Sequence, residues 1–527
     1  MNPVQTITRV PKKRTKRGTA HWTPLLLILA GILTIGGVLA AADVYRSTST
    51  LTVQIPDQAQ ARIDLNQSLT LSPYLLGSNV FPLLGTNSKD LSGQGFMSYD
   101  PQIVSGLRSA GVKLLRFPGG NFDEQHTLST QQLDAFSNLL NQVGAEGFMQ
   151  VQLSDPLDKT PVPLTTRATR AALLVDYMNN LQSIQRSANA PYHSSKYWSV
   201  GNEPDLLTNP DTGTNYTVAE YTQAFIAYSL AMHTKDPSIH VFGPELSQYP
   251  AASGSKDSQG TPWMQGFLQG VSDYERTHNL PYQLLNGVSF HYYPFRDDER
   301  DLTTILNDPT QWDTIVPGLR QLIRQTFGED LPVAITEINT NSGKVPLPQN
   351  LSALWWAETL GKLMDNQVDY VTFFSTEGVD SPNPLFLQKD LTETPMLRVM
   401  QVFSHVESHL VPVQGAPEPV SVYATQDDNH TSVSLFFVNQ TNFSQHISVP
   451  AESILPWGPW QGLQARSSWQ DASLTLPGYS MAVLTLHRNG SNEVFTFNNS
   501  VSAQHGAPPV QQVVCGGAAG MCQANSA

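Results

Sequence analysis

Residues 197–205 read YWSVGNEPD. The aromatic and β-branched run Tyr197-Trp198-Ser199-Val200 predicts a short strand, and Gly201-Asn202-Glu203-Pro204 ends it in turn chemistry. A glutamate between an asparagine and a proline at a strand end is held in place rather than merely solvated. The same tripeptide also serves as an ordinary turn, so its meaning depends on the rest of the chain. Seven further runs of this kind begin at Tyr74 (YLLGSNV), Lys113 (KLLRFPG), Gly147 (GFMQVQL), His240 (HVFGPEL), Leu285 (LNGVSFHYY), Pro332 (PVAITEIN) and Asp369 (DYVTFFST). Amphipathic stretches such as TRATRAALLVDYMNNLQSIQRS and TVAEYTQAFIAYSLAMHT lie between them, with apolar residues at helical spacing. Strands alternating with helices in this way predict an α/β fold, a (β/α)8 barrel over residues 73–410. The competing open, doubly wound sheet would put a glycine-rich phosphate loop after the first strand, and none is there.

The flanks differ from the barrel. Beyond Pro412, runs such as SVYATQ, TSVSLFFVN and SMAVLTLHR are β-rich, with turn residues between them, and predict a β-sandwich over 411–487. The run RIDLNQSLTL within 61–72 is expected to add a strand to it, with residues 43–60 as a polar stalk and 488–527 as a flexible tail. At the N-terminus, residues 1–22 hold six basic groups and no acid, and 23–42 carry no charge at all. This pattern predicts a membrane anchor with its basic flank on the cytoplasmic side and the barrel outside the cell. A cleavable signal segment is the rival, since Ala40-Ala41-Ala42 supplies small residues. Cys515 and Cys522 sit seven apart in the tail, close enough to shut a small loop in an oxidising compartment, and their spacing suggests no metal site.

Charge narrows the partners. The chain carries −14, but with six of its 30 basic residues in the first 22, the remainder holds 24 against 44 acidic, or −20. Such a surface repels nucleic acid and long polyanions. Lys89, Lys113, Lys159, Lys196, Lys235, Lys256 and Lys344 are scattered, so no basic track exists for a sulfated polymer.

In a barrel of this type the chemistry gathers at the C-terminal strand ends. Those ends carry Arg116 and Asn121, then Asp155, then Asn202-Glu203, His291-Tyr292 and Glu337-Ile338-Asn339. Two glutamates on the fourth and seventh strands face one another across the mouth. Paired carboxylates are the equipment of glycoside hydrolysis, one as acid and one as nucleophile, and their environments must differ. Arg116 beside Glu337 would keep that carboxylate ionised, while an apolar setting for Glu203 near Trp198 would favour its protonated form. His291 is read as either structural or substrate-contacting, and Trp355-Trp356 as core rather than a sugar platform.

WSVGNEPD (198–205), ITEIN (335–339) and FHYY (290–293) resemble the retaining glycoside hydrolases of clan A, and most closely the family of β-glucuronidases and heparanases. The resemblance spans roughly residues 60–487. It implies Glu203 as general acid/base, Glu337 as nucleophile, Asn202 on the sugar 2-hydroxyl and Tyr292 hydrogen-bonded to Glu337. It also implies a uronic acid as the sugar, without cofactor or metal, while the scattered lysines and the acidic charge predict removal of a terminal residue rather than endo cleavage of a sulfated chain. Two departures leave a neutral sugar as the alternative. RFPGGNF (116–122) is closer to arabinofuranosidases, and the glycine run that receives a uronate is replaced by Ser342-Gly343-Lys344. Gly343 and Lys344 would then be what remains to read a carboxylate. An inactive carbohydrate-binding barrel is the non-enzymatic reading.

Overall fold

The computed structural model describes residues 50–55, 60–83, 96–154, 162–250, 255–378, 383–415, 418–450, 469, 471–488, 490–499 and 507–515. Three short strands come first, β1 (Thr50–Val53), β2 (Ala61–Asp64) and β3 (Leu69–Thr70). Then come β4 (Tyr74–Asn79), β5 (Leu114–Phe117), β6 (Glu146–Val151), β7 (Tyr197–Val200), β8 (His240–Leu246), β9 (Gly287–Tyr292), β10 (Val333–Ile338) and β11 (Tyr370–Phe373). These eight close a parallel barrel in sequence order, β11 pairing back to β4. Each begins within two residues of the predicted start.

Alternation along the strands sorts their side chains into a lumen and an outer core. Leu114, Phe148, Tyr197, Phe242, Ala334 and Tyr370 plug the N-terminal end of the lumen, with Tyr74 stacked on Tyr370 at 5.4 Å between ring centroids. One pleat higher the lumen turns polar, through Arg116, Gln150 and Ser199, all fully buried. The residues between, such as Leu115, Met149 and Trp198, point outward into the helix layer. A dry floor beneath a polar rim fixes where chemistry can occur.

The helices are set by local signals. Thr217 begins the helix Val218–His233 with a capping box, its hydroxyl accepting from the Glu220 N–H while the Glu220 carboxylate accepts from the Thr217 N–H. Trp355 and Trp356, in the helix Gln349–Asp365, are core, at 0% and 1% exposure.

Downstream lie β12 (His409–Leu410), β13 (Val413–Gln414), β14 (Val420–Gln426), β15 (Ser432–Asn439), β16 (Gln445–Val449), β17 (Ala472–Leu476), β18 (Met481–His487), β19 (Asn492–Phe497) and β20 (Gln511–Cys515). A seven-stranded sheet runs β20-β19-β18-β15-β14-β12-β3, with the small sheets β1-β2-β13 and β16-β17 beside it. Val422, Ala424, Leu435 and Leu484 share one apolar cluster with Leu51, Ile63, Ile447 and Leu474 of the small sheets. Tyr423, Phe436, Val438 and Val483 turn the other way and join the core of the barrel's helices. Phe436 stacks on Phe403, and the Tyr423 hydroxyl donates to buried Glu358. Each fully buried aliphatic or aromatic side chain of this seam is worth roughly 1.5–3 kcal/mol.

Two boundaries need correcting. The expected stalk over 43–60 includes β1, because Leu51, Val53 and Ile55 alternate and are buried. The expected flexible tail over 488–527 contributes β19 and β20, whose backbones extend the sheet edge. Residues 1–49, with the anchor at 23–42, lie outside the described residues, as do Asp155 and Cys522. Among the described residues no helix is long and apolar enough to cross a membrane.

Candidate active site

Arg116 organises the barrel mouth. It rises from β5 into the lumen with no exposure and donates to five side chains. Nη1 reaches Asn79 Oδ1 at 2.9 Å and Glu337 Oε1 at 2.8 Å. Nη2 reaches Gln150 Oε1 at 2.6 Å, Asn202 Oδ1 at 2.7 Å and Glu245 Oε2 at 2.9 Å. The expected pairing of Arg116 with Glu337 is thus present, inside a larger net. Burial works against the guanidinium charge, but Glu245 and Glu337 outweigh it and raise its pKa.

Glu337 is buried at 3% exposure, near the end of β10. Its second oxygen accepts from the Tyr293 hydroxyl at 2.6 Å and lies 3.5 Å from His291 Nδ1. A register irregularity between Ile335 and Glu337 lets both Thr336 and Glu337 reach the lumen. Glu203 follows β7 with φ +48, after Gly201 at φ +76. Such left-handed backbone costs a non-glycine residue roughly 1–3 kcal/mol and persists only where the surroundings impose it. Here the Glu203 N–H donates to the Glu245 carbonyl at 3.0 Å. The Glu203 side chain is 16% exposed, and His291 Nδ1 stands 3.0 Å from its Oε1. Glu203 therefore faces solvent at the mouth while Glu337 sits sealed beneath it.

The remaining sequence candidates fall into three groups. Asn202 is buried and belongs to the net, its Nδ2 donating to Asn121 Oδ1 at 3.0 Å. His291 is fully buried with carboxylates at both ring nitrogens, Nε2 lying 3.4 Å from Glu245 Oε2. Burial disfavours its charge, yet Glu337, Glu203 and Glu245 overcome that and push its pKa up to about 10. Gly343 and Lys344 form a turn that already holds an internal carboxylate. Asp297 Oδ2 accepts from the Lys344 N–H at 3.0 Å, and Asp297 Oδ1 stands 1.6 Å from where a Gly343 Cβ would lie.

Two expectations are overturned. Tyr292 does not touch Glu337; its hydroxyl donates to Asp308 Oδ1 at 2.9 Å, among the ring of Trp312 and the helix layer. Strand parity is the reason, since His291 faces the lumen, Tyr292 faces out and Tyr293 faces in again. Trp198 likewise packs in the outer core, donating from Nε1 to the Ser195 carbonyl, and supplies no apolar wall for Glu203. Tyr293→Phe is expected to lower kcat about tenfold to a hundredfold, since it removes a hydrogen bond to a charged group. Tyr292→Phe should leave kcat near wild type and lower the melting temperature instead. Paired steady-state kinetics and thermal melts check both.

Sequence reasoning missed Glu245, although GPEL at the end of β8 places a glutamate at a strand end as VGNE does on β7. Glu245 is fully buried, with φ +58. Burial would raise its carboxyl, but Arg116 and His291 bring it down to about 2. Also missed was Glu124, whose carboxylate accepts from the Ser154 and Asn202 N–H groups at 2.7 and 3.2 Å and so braces the turn carrying Glu203. Glu203, His291 and Glu337 offer oxygen and nitrogen atoms all within 4.8 Å of one another. The Arg116 guanidinium, 2.8 Å from Glu337, disfavours a cation held by this trio.

Comparison with known proteins agrees with the geometry. The family model described as glycoside hydrolase family 44 matches residues 118–296, about a third of the chain, including Glu203 but not Glu337. The chain is a glycoside hydrolase. No curated protein sequence matches it. Among solved structures, CelM2, a bifunctional glucanase-xylanase from a metagenome library, superposes with TM-score 0.57 at 15% identity, over 83% of this chain and 99% of that one. A GH51 arabinofuranosidase from Xanthomonas axonopodis pv. citri gives TM-score 0.59 at 15% identity, over 83% and 100%. A family 44 xyloglucanase from Paenibacillus polymyxa gives 0.53 at 13%, over 80% and 97%. At these identities the likeness is one of fold, a (β/α)8 barrel with an attached β-domain.

Proposed function

We propose that the enzyme is a retaining exo-glycosidase acting on a neutral sugar, by double displacement. The observation that carries retention is the distance between the glutamates. Retaining enzymes need carboxyl groups about 5–5.5 Å apart and inverting ones about 6.5–9.5 Å, to admit a water. Here an oxygen of Glu203 and one of Glu337 lie within 4.8 Å. Glu337 attacks the anomeric carbon while Glu203 gives its proton to the departing glycosidic oxygen. Glu203 then takes a proton from water, which attacks the same carbon and frees Glu337. Arg116 and Tyr293 hold the Glu337 oxygens so that the attacking group is aimed. Asn202 has given one amide hydrogen to Asn121, which leaves its second for the sugar 2-hydroxyl.

Asp297 supports the neutral sugar over the uronic acid suggested by the resemblance. Its carboxylate sits on the Gly343-Lys344 turn, where a uronate would have to be received, and like charges repel there. The named likenesses to arabinofuranosidases, a glucanase-xylanase and a xyloglucanase point the same way. A panel of chromogenic glycosides tests the proposal. Arabinofuranoside, xyloside or glucoside should be turned over at least about tenfold faster than glucuronide, a factor equivalent to about 1.4 kcal/mol. Preferred hydrolysis of the glucuronide would reject the neutral-sugar reading, and an inverted first-formed anomer by NMR would reject retention.

A further inference from the structure

We propose that Glu245 is a positioning residue that keeps a proton on His291 and so supplies the proton Glu203 delivers; this rests on the reading of Glu203 as acid/base. Three strand ends meet at the imidazole. Nδ1 faces Glu203 from β7 and Glu337 from β10, at 3.0 and 3.5 Å. Nε2 faces Glu245 from β8, at 3.4 Å. A neutral imidazole has a single N–H and would leave one nitrogen lone pair against a carboxylate. While Glu203 and Glu245 are both ionised, only the imidazolium, a donor at both nitrogens, satisfies both sides. Among the described residues, the one other cation in this net is Arg116, shared between Glu245 and Glu337. Thr336 is a neutral donor to Glu245 at 3.0 Å, and Tyr293 a neutral donor to Glu337.

Glu245 cannot itself be the acid, because it is sealed from the mouth at 0% exposure. It acts through its two neighbours instead. Its carbonyl holds the Glu203 N–H, and its carboxylate stabilises the proton on the far side of His291. Transfer across the 3.0 Å Nδ1 to Oε1 contact turns imidazolium and carboxylate into neutral imidazole and carboxylic acid, with no proton gained or lost. After Glu203 has protonated the leaving oxygen, the pair is one proton short until water returns it. The more firmly Glu245 holds that shared proton, the higher the pH at which the acid step survives.

Glu245→Gln keeps the shape and removes the charge. In the 15N spectrum of histidine-labelled protein, the His291 titration should fall by at least about one pH unit. The alkaline limb of kcat/KM on a substrate with a poor leaving group should move down by a similar amount, with the acidic plateau changed far less. Glu245→Asp, which keeps the charge, should restore most of the limb. An unmoved His291 titration overturns the proposal, as does a uniform loss of rate at every pH with the limb in place. If the glutamine variant does not fold, wild type decides, since a neutral His291 at pH 7 overturns the idea equally. Failure of wild type to cleave any glycoside would count against the glycosidase reading, while the histidine spectrum would still test the link to Glu245.

Discussion

Glu337→Ala is expected to lower kcat/KM by at least about 10⁴-fold, because the covalent step loses its nucleophile and nothing nearby replaces it. Asn79, Gln150 and Asn202 around Arg116 are neutral, and Glu245 is sealed below the rim. Azide should restore part of the activity by entering the space the carboxylate left. The product of that rescue is diagnostic. Azide attacks the anomeric carbon of the intact glycoside once, so the glycosyl azide should have inverted configuration. A variant with near-normal rate, or one rescued with retained configuration, would remove Glu337 from the nucleophile's role. Circular dichroism guards against a trivial loss, because Arg116 would be left buried with one carboxylate partner, Glu245, in place of two.

Glu203→Ala should separate substrates by leaving group. For an alkyl or sugar leaving group the departing oxygen needs a proton, and loss of the acid costs about 10²–10⁴-fold. A dinitrophenolate leaves without help, so its glycosylation step should be much less affected. Deglycosylation then becomes slow for lack of a base, and the glycosyl-enzyme should build up as a burst. Azide here intercepts that intermediate, a second displacement, and the glycosyl azide should keep the original configuration. The contrast between the two azide products assigns the two glutamates independently of any rate. Equal losses on both kinds of substrate, or the same azide anomer from both variants, would defeat the assignment.

Much of the fold was readable locally. Eight runs such as KLLRFPG and PVAITEIN announce strands through their own composition, and capping signals such as Thr217-Val218-Ala219-Glu220 announce helices. A strand's C-terminal end is equally local, which is why Glu203, Glu337, Arg116 and Asn202 could be named as neighbours before any coordinates. The polar strand β20 could not, because QQVVC carries little pattern and forms by completing an edge that other residues create.

What the sequence by itself determined was therefore the barrel, its order and the pair of carboxylates at its mouth, all consequences of short-range periodicity. Only the tertiary structure decided which way each neighbouring side chain points. In HYY both tyrosines satisfy the motif, and the parity of β9 within the closed barrel selects Tyr293 and turns Tyr292 to Asp308. Glu245 meets Arg116 across 129 residues of chain and meets Glu203 through a backbone contact, and no local pattern encodes either. Asp297 on the Gly343 turn is a third case, joining two loops 47 residues apart. Charges act through space, so the net that sets the proton on His291 comes into being when the strands carrying it close the barrel.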